Sequence, residues 1–242
     1  MTTANDKRLL EIISPIASDH GVELRAASFY GAKEFQASWK RSGNCIDVMI
    51  SDYLIDAPED VIADFSQTVI GTIANRRPTY GKTYLDWVRS DGYINSKRKI
   101  YLRRSRNLTG SPQGNERDLI ESLDRLLDSR LLEPDSISNS FFSWTKMSSV
   151  RRFGFCSPMM RVVGISCTLD DASVPEFVLD YVVYHESLHL AQGYQPGRRP
   201  HSKEFRANER KYPKHEEAET YLKTFAVKPK NVRAGSGGCR PP

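Results

Sequence analysis

Apolar and polar residues alternate along "ELRAASFYG", "EFQASWKRSG" and "CIDVMIS". This two-residue period predicts three strands of one sheet between Glu23 and Ser51, after a short helix in "DKRLLEIISPIASDHG". Pro58 then opens a stretch with helical periodicity, "PEDVIADFSQTVIGTIANRR", as expected of proline at a helix start. "KRKIYLRRSRN" alternates again and predicts a strand, with Ile100 and Leu102 turned inward and Lys99, Tyr101 and Arg103 toward solvent. The polar break "TGSPQGNE" is the best linker in the chain. Beyond it, "RDLIESLDRLLDSRLL" carries Leu119, Leu123, Leu126 and Leu127 on one helical side. "SFFSWTK", "VRRFGFCSP" and "MMRVVGISCTL" read as strands. A long helix from Phe177 to Tyr194 follows, then two helical stretches from Ser202 and His215. The pattern predicts an α+β fold with an N-terminal region 1–112, a second domain 113–227 and a Gly- and Pro-rich tail, 228–242, with little to bury.

One internal echo bears on the organisation. "ISDYLIDAPEDVI" and "ISCTLDDASVPEFVL" share the order Ile-Ser, Leu, Asp-Ala, Pro-Glu and Val, and "YGKTY" parallels "HSKEF". Two readings stand: a duplicated strand-helix unit, or chance similarity between two strand-to-helix turns. Under the first, Thr68, Val69 and Thr72 stand where the second copy has His185, Glu186 and His189.

Lys and Arg number 35 against 30 Asp and Glu, a formal charge of +5. A surplus this small permits nucleic-acid contact without requiring it. The basic run Lys97–Arg106 is the candidate for such contact, but it reads better as a guarded edge strand. Cys45, Cys156, Cys167 and Cys239 form no C-x-x-C pair, which speaks against a disulfide framework or a four-cysteine metal site and for a reducing, cytoplasmic setting. Cys156 and Cys167 read as buried strand thiols, with Cys156 a minor alternative ligand. Trp39, Trp87 and Trp144 read as core anchors. Charged residues interrupt the N-terminus, so no signal peptide is expected, and no apolar run is long enough to span a membrane.

The chemistry concentrates in "FVLDYVVYHESLHLAQGY". His185 and His189 are one helical turn apart and project from one face, so two imidazoles reach one ion. Glu186 projects beside that ion, where a base stands to deprotonate water: this is the mechanical content of H-E-x-x-H. A hydrolytic zinc site takes three protein ligands. Gln192 and Gln195 occupy the places where a metzincin has glycine and histidine. His201, at a helix start beyond the turn-rich "GYQPGRRP", is the expected third ligand, with Glu204, Glu216 and His215 as substitutes. Tyr184, Tyr194, Arg198, Arg199 and Tyr212 are open candidates for oxyanion donor. "RVVGIS" is the expected edge along which an extended peptide would lie.

The segment from "FGFCSP" through "YHESLHL" to "HSKEF" resembles the minimal zincin core of the SprT-like and YgjP-like metallopeptidases over roughly residues 141–212. The resemblance implies His185, His189 and His201 as zinc ligands, Glu186 as general base, Zn2+ as cofactor and a protein or peptide as substrate. With no apolar run of spanning length, no membrane partner is expected. The alternatives are a non-catalytic, metal-stabilised binding protein and an amidase acting on a small or modified peptide.

Overall fold

The computed structural model describes residues 3–227; the predicted tail 228–242, with Cys239, lies outside them. The chain is α+β and divides into two compact units, 1–104 and 105–242. Among the described residues no helix is long and apolar enough to cross a membrane.

In the first unit, α1 (Ala4–Asp19) is capped by Thr3, whose hydroxyl accepts from the Asp6 backbone while the Asp6 carboxylate accepts from the Thr3 backbone. Strands β1 (Glu23–Tyr30), β2 (Ala37–Ser42) and β3 (Cys45–Ser51) follow as the alternation predicts. β3 is central, parallel to β1 and antiparallel to β2. A single turn of 3-10 helix (Asp52–Leu54) leads to Pro58, which caps α2 (Glu59–Ile73), followed by α3 (Lys82–Arg89) and α4 (Asp91–Arg104).

α4 corrects the expected strand at Lys97–Arg106. Its buried positions are Tyr93, Ile94, Lys97 and Tyr101, a helical spacing. Lys97 is buried because its ammonium pairs with Asp56 at 2.5 Å, and Arg104 holds Asp52 through two nitrogens. Two cations of the basic stripe are thus occupied inside the unit. Trp39 is 41% exposed on β2 and Trp87 half-buried against Tyr93; of the three tryptophans expected in cores, Trp144 alone is fully buried.

The second unit starts eight residues before the predicted boundary at 112/113. Residues 107–111 belong to it because they cover one sheet edge: Thr109 N–H donates to Trp144 C=O, and Trp144 N–H to Ser111 C=O. The amphipathic stretch forms α5 (Leu119–Asp128), followed by the short α6 (Pro134–Ile137). β4 (Phe141–Trp144), β5 (Gly154–Ser157) and β6 (Val162–Ile165) make a second three-stranded sheet in the order β4-β6-β5. "RVVGIS" is therefore the central strand and not an edge. Cys156 lies half-buried on β5; Cys167 lies on the 3-10 turn after β6, not on a strand. α7 (Glu176–Gln192), α8 (Lys203–Glu209) and α9 (His215–Val227) complete the unit.

The two sheets share strand order and register. Ile50 of β3 stands between Phe29 of β1 and Ala37 of β2. Ile165 of β6 stands likewise between Trp144 of β4 and Gly154 of β5. Ser51 N–H donates to Gln36 C=O at 2.9 Å, and Ser166 N–H to Phe153 C=O at 2.8 Å. Each central strand runs into a 3-10 turn and a proline cap, Pro58 or Pro175, that opens the following helix.

α7 is the axis of the second unit. Eleven of its 17 residues are buried, so it is wrapped on most sides, as a helix apolar all round must be. Leu119, Leu123 and Leu126 of α5 share its core with Trp144, Val163 and Ile165 of the sheet. Arg125 reaches Asp180 of α7 with two nitrogens, at 2.9 and 2.7 Å, which accounts for a carboxylate on a buried face.

Candidate metal centre

Local signals set where the imidazoles stand. Pro175 starts α7, and Gly193, at φ 67°, ends it in a backbone conformation that glycine adopts without strain. The chain reverses through residues 193–201 and enters α8, where the Ser202 hydroxyl accepts from the Phe205 backbone at 3.1 Å. His201 is therefore fixed one residue before a capped helix. Phe205, 1% exposed, packs against all three rings: His185 at 5.1 Å, His189 at 4.5 Å and His201 at 4.9 Å between centroids.

The structure brings His185, His189 and His201 together. One nitrogen from each lies within 4.8 Å of the others, an arrangement that could hold a metal ion. His189 Nε2 is 3.1 Å from His201 Nε2. Burial lowers the pKa of His185, and lowers that of His189 to about 4 with help from the neighbouring imidazoles, so both rings favour the neutral form that ligates. The substitutes stand elsewhere: Glu204 and Glu216 are exposed, and His215 packs on the Tyr181 ring. His20 bonds Ile16 C=O at the end of α1.

The pattern reading missed Glu209. This residue, 6% exposed on α8, accepts from His185 Nδ1 at 2.6 Å and from the Tyr181 hydroxyl at 3.1 Å. Burial alone would raise its pKa; the hydrogen bond and charge of His185, with the Tyr181 hydroxyl, outweigh it and hold the carboxyl below its usual value. An ionised Glu209 keeps the proton on Nδ1 and leaves Nε2 of His185 as the free donor atom. The available signal was a carboxylate four residues after Phe205, on the helix face turned inward.

Glu186 is 6% exposed, and burial pushes its pKa up to about 8 against the opposing charge of Arg152. Gly154 of β5 faces it. A methyl group there would stand 2.7 Å from Glu186 Oε1, so only glycine leaves the carboxylate its place. A cavity of about 500 Å³ opens at His185 and Glu186, between the Val150–Gly154 segment, α7 and α9. A second, of about 780 Å³, opens at His189 and His201 and includes Tyr194, Arg198 and Arg199 in its wall. Of the oxyanion candidates, Tyr184 donates to Asn208 C=O and Tyr212 to Phe177 C=O; both hydroxyls are engaged with backbone.

No family model, curated protein or solved structure matches the chain.

Proposed function

We propose that the second unit is a zincin-like peptidase core, that His185, His189 and His201 hold zinc, and that the protein hydrolyses peptide bonds. The observation that carries this reading is the convergence of three imidazoles, two of them on α7, beside the buried Glu186 carboxylate of the same helix. Zinc–nitrogen bonds of about 2.0–2.1 Å in tetrahedral geometry separate two ligand atoms by about 3.3 Å. The 3.1 Å between His189 Nε2 and His201 Nε2 is close to that spacing.

When bound, zinc would polarise the scissile carbonyl and acidify the attacking water. Glu186 takes the proton from that water and returns it to the leaving amine. Burial raises its proton affinity, and Gly154 opposite gives it access to the cavity. β5 supplies the edge for an extended substrate. Its Phe153–Ser166 hydrogen bond fixes the alternation of the ladder, so Gly154 and Cys156 turn their backbone groups away from β6, as strand addition by a peptide requires.

The first unit, in this reading, is a degenerate copy of the second. Ten residues beyond its capping proline stands Thr68 in place of His185, with Val69 and Thr72 at the positions of Glu186 and His189. Thr68 donates to Thr79 C=O at 2.6 Å, a hydrogen bond that ties α2 to the segment before α3. In the second unit the imidazoles of α7 and of His201 bridge the equivalent interval.

The test is metal analysis of the purified protein combined with casein cleavage by wild type and Glu186→Gln. One zinc in both proteins, with cleavage lost in the variant, is the expected result. Equal cleavage by both would remove Glu186 from the mechanism; zinc without cleavage in either would leave a metal-stabilised binding protein.

A further inference from the structure

The 500 Å³ cavity at Glu186 has an apolar floor made by Val150, Phe153, Val182 and Leu222, with the Tyr181 ring beside them. Phe153 is held edge-on against Phe225, which fixes this floor to α9. Of the charged groups in its wall, Arg152 Nε donates to Gly154 C=O at 3.2 Å and Lys223 pairs with Glu219 at 3.0 Å, while Arg151 stands exposed at the rim. The apolar side chains are thus gathered on the floor, with His185, Glu186 and Glu209 in the wall, and the volume lies in the range of about 300–1,000 Å³ common to ligand pockets.

We infer that this cavity receives a bulky apolar side chain, Leu, Phe or larger, of an extended peptide whose scissile bond lies at Glu186. The inference rests on the peptidase reading for the position of that bond. Two features of the cavity single out this occupant. It shares the wall formed by His185 and Glu186, so whatever fills it lies next to the reacting atoms. It also includes Gly154, where β5 turns its backbone N–H outward beside the C=O that Arg152 meets, so a chain paired there, with Arg152 displaced from that carbonyl, passes over the opening. An extended strand sends alternate side chains to opposite faces, and one of these enters the cavity while the backbone remains on β5. Burying a large apolar side chain favours it over glycine by about tenfold or more.

The experiment separates binding from turnover by using zinc-loaded Glu186→Gln protein and fluorescein-labelled hexapeptides of Gly, Ala and Ser that carry Phe, Leu, Glu or Gly at one position. Fluorescence anisotropy is expected to show Phe and Leu peptides bound at least about tenfold more tightly than the Glu and Gly peptides. Leu222→Trp, which fills the floor from α9, is expected to bring the Phe peptide to the level of the Gly peptide. Val150→Trp, which fills the floor from the segment before β5, outside any helix or strand, tests the same point from a different element. Equal affinity for all four peptides, a preference for Glu, or a Phe preference untouched by both tryptophan variants would overturn the inference. Discrimination by the variant protein, with no peptide cut by wild type, would uphold the pocket and remove the hydrolytic reading instead.

Discussion

Glu209 Oε1 of α8 lies 2.6 Å from His185 Nδ1 of α7. The carboxylate fixes the ring's tautomer and orientation, as partners of ligating histidines do. Glu209→Gln should therefore keep the fold and lower zinc affinity by about 10- to 100-fold, measured by competition with a chromogenic chelator. An affinity within twofold of wild type would leave Glu209 as packing only.

Chelation should act on one unit and not on the other. The bridge between α7 and the segment before α8 depends on imidazoles, while α2 and the segment before α3 are joined by Thr68 and Thr79. Ligand removal lowers the stability of the state that binds it. Hydrogen exchange followed by mass spectrometry should show faster exchange in residues 185–209 after chelation and unchanged exchange in 59–89. Equal acceleration in both segments would contradict the proposed difference.

The metal-free protein should lose stability between pH 6.5 and about 8. Folding raises the Glu186 pKa from 4.5 to about 8, so the folded state holds a proton that the unfolded chain releases, and stability falls as pH rises through this window. His189 works in the opposite direction: its pKa falls from 6.5 to about 4, so its effect is complete by pH 6.5. Glu186→Gln should flatten the melting temperature against pH above 6.5 in zinc-free buffer. A slope equal to that of wild type would place the titration elsewhere.

The Arg125–Asp180 pair should be structural. Asp180 is 7% exposed on α7 and receives two hydrogen bonds from the guanidinium. Arg125→Met would leave that carboxylate buried without its cation, at a cost of about 1.5–3 kcal/mol. Urea unfolding measures it, and zinc stoichiometry should stay at the wild-type value because neither residue touches the imidazoles.

The histidine cluster was legible because its information is local. His185 and His189 need only a helix to share a face, and His201 needs only the turn that Gly193 permits. The strands of both sheets were legible for the same reason. α4 was not, because its helical face is completed by Lys97 and Tyr101; a buried lysine looks polar in sequence and becomes interior only through Asp56, 41 residues away. The central place of β6 was hidden too, since strand order depends on which partners meet across the chain. Glu209 lay between: its spacing from Phe205 was visible, but its partner on α7 was not.

The hydroxyl of Thr68 and the trio of imidazoles answer the same mechanical problem with opposite degrees of permanence. A clasp made from the polypeptide itself is always shut. One completed by a dissociable cation follows the supply of that ion, which would make half of this molecule conditional on its surroundings while the other half keeps its form.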